Sequence, residues 1–418
     1  MNVIVGLDIG TSNIRVAIGE IDEDTGRIRV AGVACEKSVG LRFGNIVNIE
    51  ATANAIRNAI ENAEQNAGID VHSCFTSIGG EQIQGYNTNG KVAVSTKGKF
   101  QRAVSQNDIR HVMDSATAIQ MSLDREMLHV ITQDYVVDGV KGIKDPINRL
   151  GVCLEASVHI ITASRTTIQN LTSCLHRAGY EIDGVMLKTL ASGSAVMNDD
   201  ECELGSILID LGAGTTDFLV LVGDAPVCTV SVPYGGNIVT NDIAICKGIT
   251  VAEAEEIKVK HGCCWLENVP PDAKVIINGL GGRPPEEFDQ SELCEIIAPR
   301  IEEIFRLVLD KIMEMTTLTQ LSGNIILTGG GANMNGIVEM AESVFKTSAV
   351  RIGVPEKLGG IEEEYSGPEW ATAIGLVIGN KDNVLRKESG KGRRRSSSER
   401  NGSGKKENPV AKFFRNLF

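Results

Sequence analysis

Apolar residues along this 418-residue chain gather into unbroken runs in some places and recur every three or four positions in others. The runs read as buried strands and the recurring pattern as amphipathic helices. Two pairs of runs flank a glycine-bearing tip, VIVGLDIGTSNIRVAIG at 3–19 and ILIDLGAGTTDFLVL at 207–221. Each predicts a hairpin of buried strands. RIRVAGVACEKS at 27–38 predicts a third strand, and NIILTGGGANMNGIVEMAE at 324–342 predicts a strand, a triple glycine and a helix. Helices are expected over Glu50–Asn66 (Ala53, Ile56, Ile60 and Ala63 on one face), Arg165–Ala178 and Glu292–Met315. The last would bury Ile296, Ile297, Ile301, Ile304, Phe305 and Val308. Strand, hairpin and helix then recur over 154–223, which predicts two α/β halves with a cleft between them.

Between the halves, Gly85–Gly98 and Leu128–Val137 read as strands. Gln106–Met121 reads as a helix with Ile109, Val112, Met113, Ala116 and Ile119 on one face. A segment with its own elements exceeds ordinary loop length, so an inserted small domain is expected over 84–161. A second insertion is expected over 235–300, with a glycine- and proline-rich turn at Asn278–Pro285.

The tips carry the candidate chemistry. Asp8 precedes Gly10, Thr11, Ser12 and Asn13, while Asp210 precedes Gly212, Ala213, Gly214, Thr215, Thr216 and Asp217. Gly329, Gly330 and Gly331 follow the third strand and lead into Ala332. Any one of these is compatible with an ordinary β-turn. Three in this order, each at a strand end, suit a phosphate chain, because glycine backbone N–H groups can approach its oxygens closely. Asp8 and Asp210 are candidates for holding hydrated Mg²⁺ or orienting a water.

These motifs resemble the two phosphate loops and the adenosine loop of the actin, heat-shock chaperone and sugar kinase superfamily, over most of residues 1–380. Within it, the insertion at 84–161 and the C-terminal segment resemble the FtsA family of bacterial division proteins. The resemblance implies an α/β, actin-like two-lobed ATPase fold with an inserted α/β domain, termed 1C, and a C-terminal amphipathic helix. The first lobe would be 1–83 with 162–204, and the second 205–234 with 301–380. The second insertion, termed 2B, would be 235–300, followed by a linker at 381–407 and the terminal helix. The resemblance further implies ATP and Mg²⁺ as cofactors, with Gly236, Glu255 and Lys258 added to the nucleotide contacts. Glu255 and Lys258 share a helix face, which by itself fits a surface ion pair equally well. Implied partners are the FtsZ tail at 235–300, other division proteins through 84–161, and further copies of the chain in a filament. Glu369–Gly375 resembles a helix crossing between the lobes, whose small residues suit close packing.

Three departures bear on hydrolysis. Leu187–Ser192 lacks the carboxylate that relatives commonly place there, Ala213 replaces a glycine, and Asn13 stands where a lysine is common. ATP binding with slow or absent hydrolysis is expected. A small-molecule kinase and an FtsA-like pilus assembly protein are the alternatives.

Composition sharpens the C-terminal reading. The net charge is −13, yet residues 381–418 hold 12 Lys/Arg against 4 Asp/Glu, a net of +8 that leaves −21 on the rest. An acidic body argues against nucleic acid, and a basic end argues for an anionic surface. Ten cysteines without a CxxC pair argue for reduced thiols rather than zinc. Neither a signal peptide nor a spanning segment is expected. In NPVAKFFRNLF at 408–418, Val410, Phe413, Phe414, Leu417 and Phe418 share a helical face, with Lys412 and Arg415 on the polar side. Such a helix can lie in a headgroup layer or dock into a partner's groove. With the resemblance, this implies a peripheral protein on the cytoplasmic face of the inner membrane at the division site.

Overall fold

The computed structural model describes residues 2–22, 24–95, 101–277, 284–315 and 324–385. The predicted terminal helix, with Val410, Phe413, Phe414, Leu417, Phe418, Lys412 and Arg415, lies outside the described residues. So does nearly all of the predicted linker.

Two five-stranded sheets share one topology. In the first, the order is Glu181–Leu187, Ser73–Ile78, Asn2–Ile9, Asn13–Ile21, Ile28–Lys37. In the second it is Val350–Ile352, Asn324–Thr328, Ser206–Leu211, Thr216–Val222, Ala225–Val232. Each is an antiparallel meander extended on one side by two parallel strands. Both sheets are covered on both faces. The helices Ile49–Ala67 and Arg165–Ala178 pack on the outside of the first sheet. Lys188–Val196 and Ala371–Gly379 fill the space between the sheets. Gly236–Lys247, Gln290–Met315 and Ile337–Phe345 cover the outside of the second. The result is five alternating layers. Burial on both faces explains why the central strands Asn2–Ile9, Ser206–Leu211 and Asn324–Thr328 are mostly apolar.

The two inner helices cross with main chain against main chain. A Cβ placed on Gly375 would lie 1.7 Å from the Ala191 carbonyl oxygen, so only glycine fits there. The small residues of this helix therefore do permit close packing, as the sequence suggested.

The insertion forms a separate antiparallel sheet in the order Val140–Ile143, Arg125–Val137, Cys153–Ser164, Gln84–Ala93, with the helix Gln106–Thr117 against it. It has a core of its own around Val112, Tyr135 and Leu154. It also docks on the outer strand of the second sheet. His159 Nε2 lies 3.0 Å from Thr229 Oγ1, Asn87 Nδ2 donates to the Val227 carbonyl at 2.8 Å, and Gln133 Nε2 donates to that of Pro226 at 2.8 Å. His159 is 1% exposed, and burial pushes its pKa down from 6.5 to about 4.

Several boundaries differ from the sequence reading. The apolar run at 154–164 does not open the second half. It pairs on both sides within the inserted sheet, and the repeat begins at Ser206 instead. The helix Gln290–Met315 runs through 300 and shares one core with the second lobe, so 235–300 is not a body apart. Within it Ile296 is only half-buried. The inserted helix stops at Thr117 rather than Met121. Val384 and Leu385 pack against the core, so the body extends past 380. Among the described residues, no helix is long and apolar enough to cross a membrane.

Candidate functional site

The two hairpin tips close in the same way. The Gly10 N–H donates to the Asn13 carbonyl at 3.0 Å, and the Gly212 N–H donates to that of Thr215 at 2.9 Å. A Cβ at either glycine would stand under 3 Å from the carbonyl it faces, which is why both positions hold glycine. The tips point at each other, since a Cβ on Gly214 would lie 2.6 Å from Thr11 Oγ1. The third tip joins them. Gly329 has φ +81°, a conformation that favours glycine, and a Cβ there would strike Asp210 Oδ1 at 2.3 Å.

Together they enclose a chamber of about 80 Å³. Asp8, Gly10, Thr11, Ser12, Asn13, Asp210, Gly212, Ala213, Gly214, Thr215, Gly329 and Gly330 line it. It adjoins a wider cleft of about 320 Å³, which shares Ser12, Asn13, Gly212, Ala213 and Gly330 and adds Thr216, Gly236, Glu255, Lys258 and Gly331. Lys258 Nζ reaches Glu255 Oε2 at 2.7 Å, Thr240 Oγ1 at 2.9 Å and the Gly236 carbonyl at 3.1 Å. This network ties the helix Val251–His261 to the start of Gly236–Lys247. The predicted residues therefore come together, with one exception. Ala332 is fully buried in the second-lobe core and lines neither space.

Three carboxylates lie near Lys188: Asp8 and Asp210 on the chamber and Asp217 on an adjoining recess. Asp8 accepts from Ser77 Oγ at 2.8 Å, and Asp217 accepts from Thr215 Oγ1 at 2.9 Å. Asp210 is 1% exposed, and its Oδ1 accepts no hydrogen bond. Its nearest cation is Lys188, with Nζ at 3.6 Å. Burial, then the neighbouring carboxylates of Asp217 and Asp8, push the Asp210 pKa up to about 6, although Lys188 pulls it down. Burial works against charge on Lys188, but Asp210, Asp8 and Asp217 outweigh it and hold its pKa above the ordinary lysine value.

A buried carboxylate oxygen that accepts no hydrogen bond and has the Lys188 ammonium at 3.6 Å, beside a glycine-lined chamber, fits a hydrated divalent cation. Among the described residues, no three His, Cys, Asp or Glu side chains converge to hold a metal outright. Magnesium here would keep waters and take ligand oxygens, its usual habit at phosphate sites.

Sequence reasoning missed Lys188, Arg15 and Ser77. Arg15 lines both spaces, lies 5.7 Å from the Trp370 ring centroid and has a buried Nε without a partner. Its signal was its strand position, two residues along the same face from Asn13. That of Lys188 was a single cation opening an otherwise apolar and small-residue helix.

Comparison with known proteins agrees with this architecture. A family model described as "Cell division protein FtsA" matches residues 207–375, and one described as "SHS2 domain inserted in FTSA" matches 80–162. The cell division protein FtsA of Borreliella burgdorferi is 40% identical over 400 residues, 94% of this chain and 96% of that protein. The chain belongs to the FtsA family. Its role is accordingly in cell division. Two solved structures share the fold of this FtsA-family chain. One is a PilM–PilN type IV pilus biogenesis complex, with TM-score 0.61 and 17% identity, covering 92% of this chain and 98% of that one. The other is MreB 5 of Spiroplasma citri bound to AMPPNP, with TM-score 0.55 and 13% identity, covering 93% and 99%. The contrast between 40% and 17% favours FtsA over the pilus-assembly alternative.

Proposed function

We propose that this protein binds ATP with Mg²⁺ in the cleft between its lobes, assembles into actin-like filaments and tethers FtsZ filaments to the cytoplasmic membrane. The observation that carries the reading is the convergence of three glycine-bearing strand ends on one chamber, beside the buried carboxylate of Asp210, whose Oδ1 accepts no hydrogen bond. In this reading the tips hold the phosphates and Glu255 and Lys258 face the ribose. Asp8 and Asp210 hold hydrated Mg²⁺, which neutralises phosphate charge. The fold shared with an MreB bound to AMPPNP supports this use of the cleft. Hydrolysis is slow or absent, because Leu187–Ser192 supplies no carboxylate to activate water. The FtsZ tail docks on 235–300, other division proteins meet the inserted domain, and the terminal helix contacts anionic lipid.

The membrane contact is weak in one copy. Five large apolar side chains contribute about 1.5–3 kcal/mol each when buried. That gain is offset by ordering an 11-residue helix at 408–418 that is marginal in water. A filament displaying many tails binds by avidity. The test measures ATP binding to the full chain by calorimetry and sedimentation with anionic liposomes, with and without residues 408–418. Binding of ATP, together with loss of sedimentation on truncation, supports the proposal. Absence of ATP binding refutes the nucleotide assignment, and unchanged sedimentation refutes the tether.

A further inference from the structure

Lys188 has a place that the nucleotide reading does not by itself explain. It opens the helix Lys188–Val196, all of whose other residues are buried. Its Nζ lies 3.6 Å from Asp210 Oδ1 and the same distance from the point a Cβ on Gly212 would occupy. Its stem runs past Gly79, where a Cβ would stand 3.3 Å from Lys188 Cβ and 3.5 Å from Cδ. Lys188 lines the chamber at the tips and also a recess of about 50 Å³ that it shares with Ser77, Thr215 and Asp217. It does not line the wider cleft that holds Glu255 and Lys258.

These placements order the site. Glu255 and Lys258 stand at one end, the two tips in the middle and Lys188 at the other. A nucleotide with its ribose at Lys258 lays its phosphates across the tips and ends at the lysine. We infer that Lys188 distinguishes a nucleoside triphosphate from a diphosphate in this cleft by binding the terminal phosphate, an inference that rests on the cleft being a nucleotide site. An ammonium at a phosphate oxygen makes a strong, charge-assisted hydrogen bond. It is a donor only and cannot take a proton from an attacking water. Lys188 therefore holds the terminal phosphate without itself offering a base to an attacking water. Without a ligand, Asp210 is the lysine's counter-ion. A hydrated divalent cation held beside Asp210 would take over that counter-ion role and leave the ammonium to the phosphate.

The experiment measures binding of ADP and of the non-hydrolysable analogue AMPPNP to the full chain with magnesium, for wild type, Lys188→Gln and Lys188→Arg. Wild type is expected to prefer AMPPNP by at least about tenfold, the scale of one charge-assisted contact. Lys188→Gln should bring that preference to about twofold or less, with the loss on the AMPPNP side, while Lys188→Arg should retain most of it. Equal wild-type affinity for the two nucleotides overturns the inference, as does a glutamine variant that still prefers AMPPNP. Should the glutamine variant fail to fold, the wild-type preference and its survival in the arginine variant decide. Wild type binding neither nucleotide overturns the nucleotide assignment itself, a result distinct from loss of discrimination.

Discussion

Acid should loosen the inserted domain from the second lobe through one side chain. His159 is buried between Asn87 Oδ1 at 2.8 Å and Thr229 Oγ1 at 3.0 Å. Asn87 directs its amide N–H to the Val227 carbonyl, so its oxygen faces the imidazole and Nδ1 is the protonated nitrogen. Burial lowers the pKa from 6.5 to about 4. Between those values the opened state binds a proton that the docked state excludes. Stability is therefore full above pH 6.5 and falls as pH drops toward 4. The loss is about 1.4 kcal/mol per pH unit, so about 2 kcal/mol at pH 5 and about 3 kcal/mol in total. Amide hydrogen exchange in the strands Gln84–Ala93 and Cys153–Ser164 reads this opening free energy directly. His159→Gln retains a donor and an acceptor but cannot titrate. The difference in protection between wild type and variant should shrink by about 2 kcal/mol from pH 7.5 to pH 5. Other titrating groups act equally in both proteins and cancel. Parallel pH profiles for the two would refute the reasoning.

Gly329→Ala should keep the fold yet raise the ATP dissociation constant at least about tenfold by calorimetry, because a new Cβ collides with Asp210 Oδ1 and strains a left-handed backbone. Gly375→Ala should destabilise the whole protein by about 3 kcal/mol or more in urea, since a carbonyl oxygen within a packed helix cannot move aside for the methyl. Arg351 grips Glu201 with two hydrogen bonds at 2.6 and 2.7 Å and also donates to the Val196 carbonyl. Arg351→Ala strands that buried carboxylate and should cost about 2–3 kcal/mol by urea titration, less than for a fully buried pair because the arginine is part-exposed. Glu201→Gln in the same background should recover part of the loss.

How much was legible depended on the range of the interaction. Each hairpin was visible because run, tip and run are contiguous and the glycine marks the turn. The strands Ser73–Ile78 and Glu181–Leu187 were missed. They pair in parallel across a hundred residues, so no local turn announces them. The run at Cys153–Ser164 misled because a central strand of any sheet is apolar, and only its partners reveal which sheet it joins. At the site, the tip residues could be read from glycine and carboxylate spacing. Ala332 continued the same motif, yet its short helix turns the methyl into the core. The resemblance singled out the stretch Leu187–Ser192, but nothing in its spacing gave Lys188 a role. Its chemistry comes from Asp8, Asp210 and Asp217, which the fold gathers from strands of both sheets.

At the crossing of Gly375 and Ala191 the backbones of the inner helices meet with no side chain between them. Bare backbones in contact resist sliding, so any relative movement of the halves should turn about this crossing rather than shear across it. Lys188 starts one of these helices, and Thr372 of the other lies 3.4 Å from Asp210. The fulcrum thus sits about one helix turn or two from the charged chamber, by the usual helical rise. A small adjustment in that chamber would be magnified with distance from the crossing, and the outer edges of the molecule would sweep the widest arc.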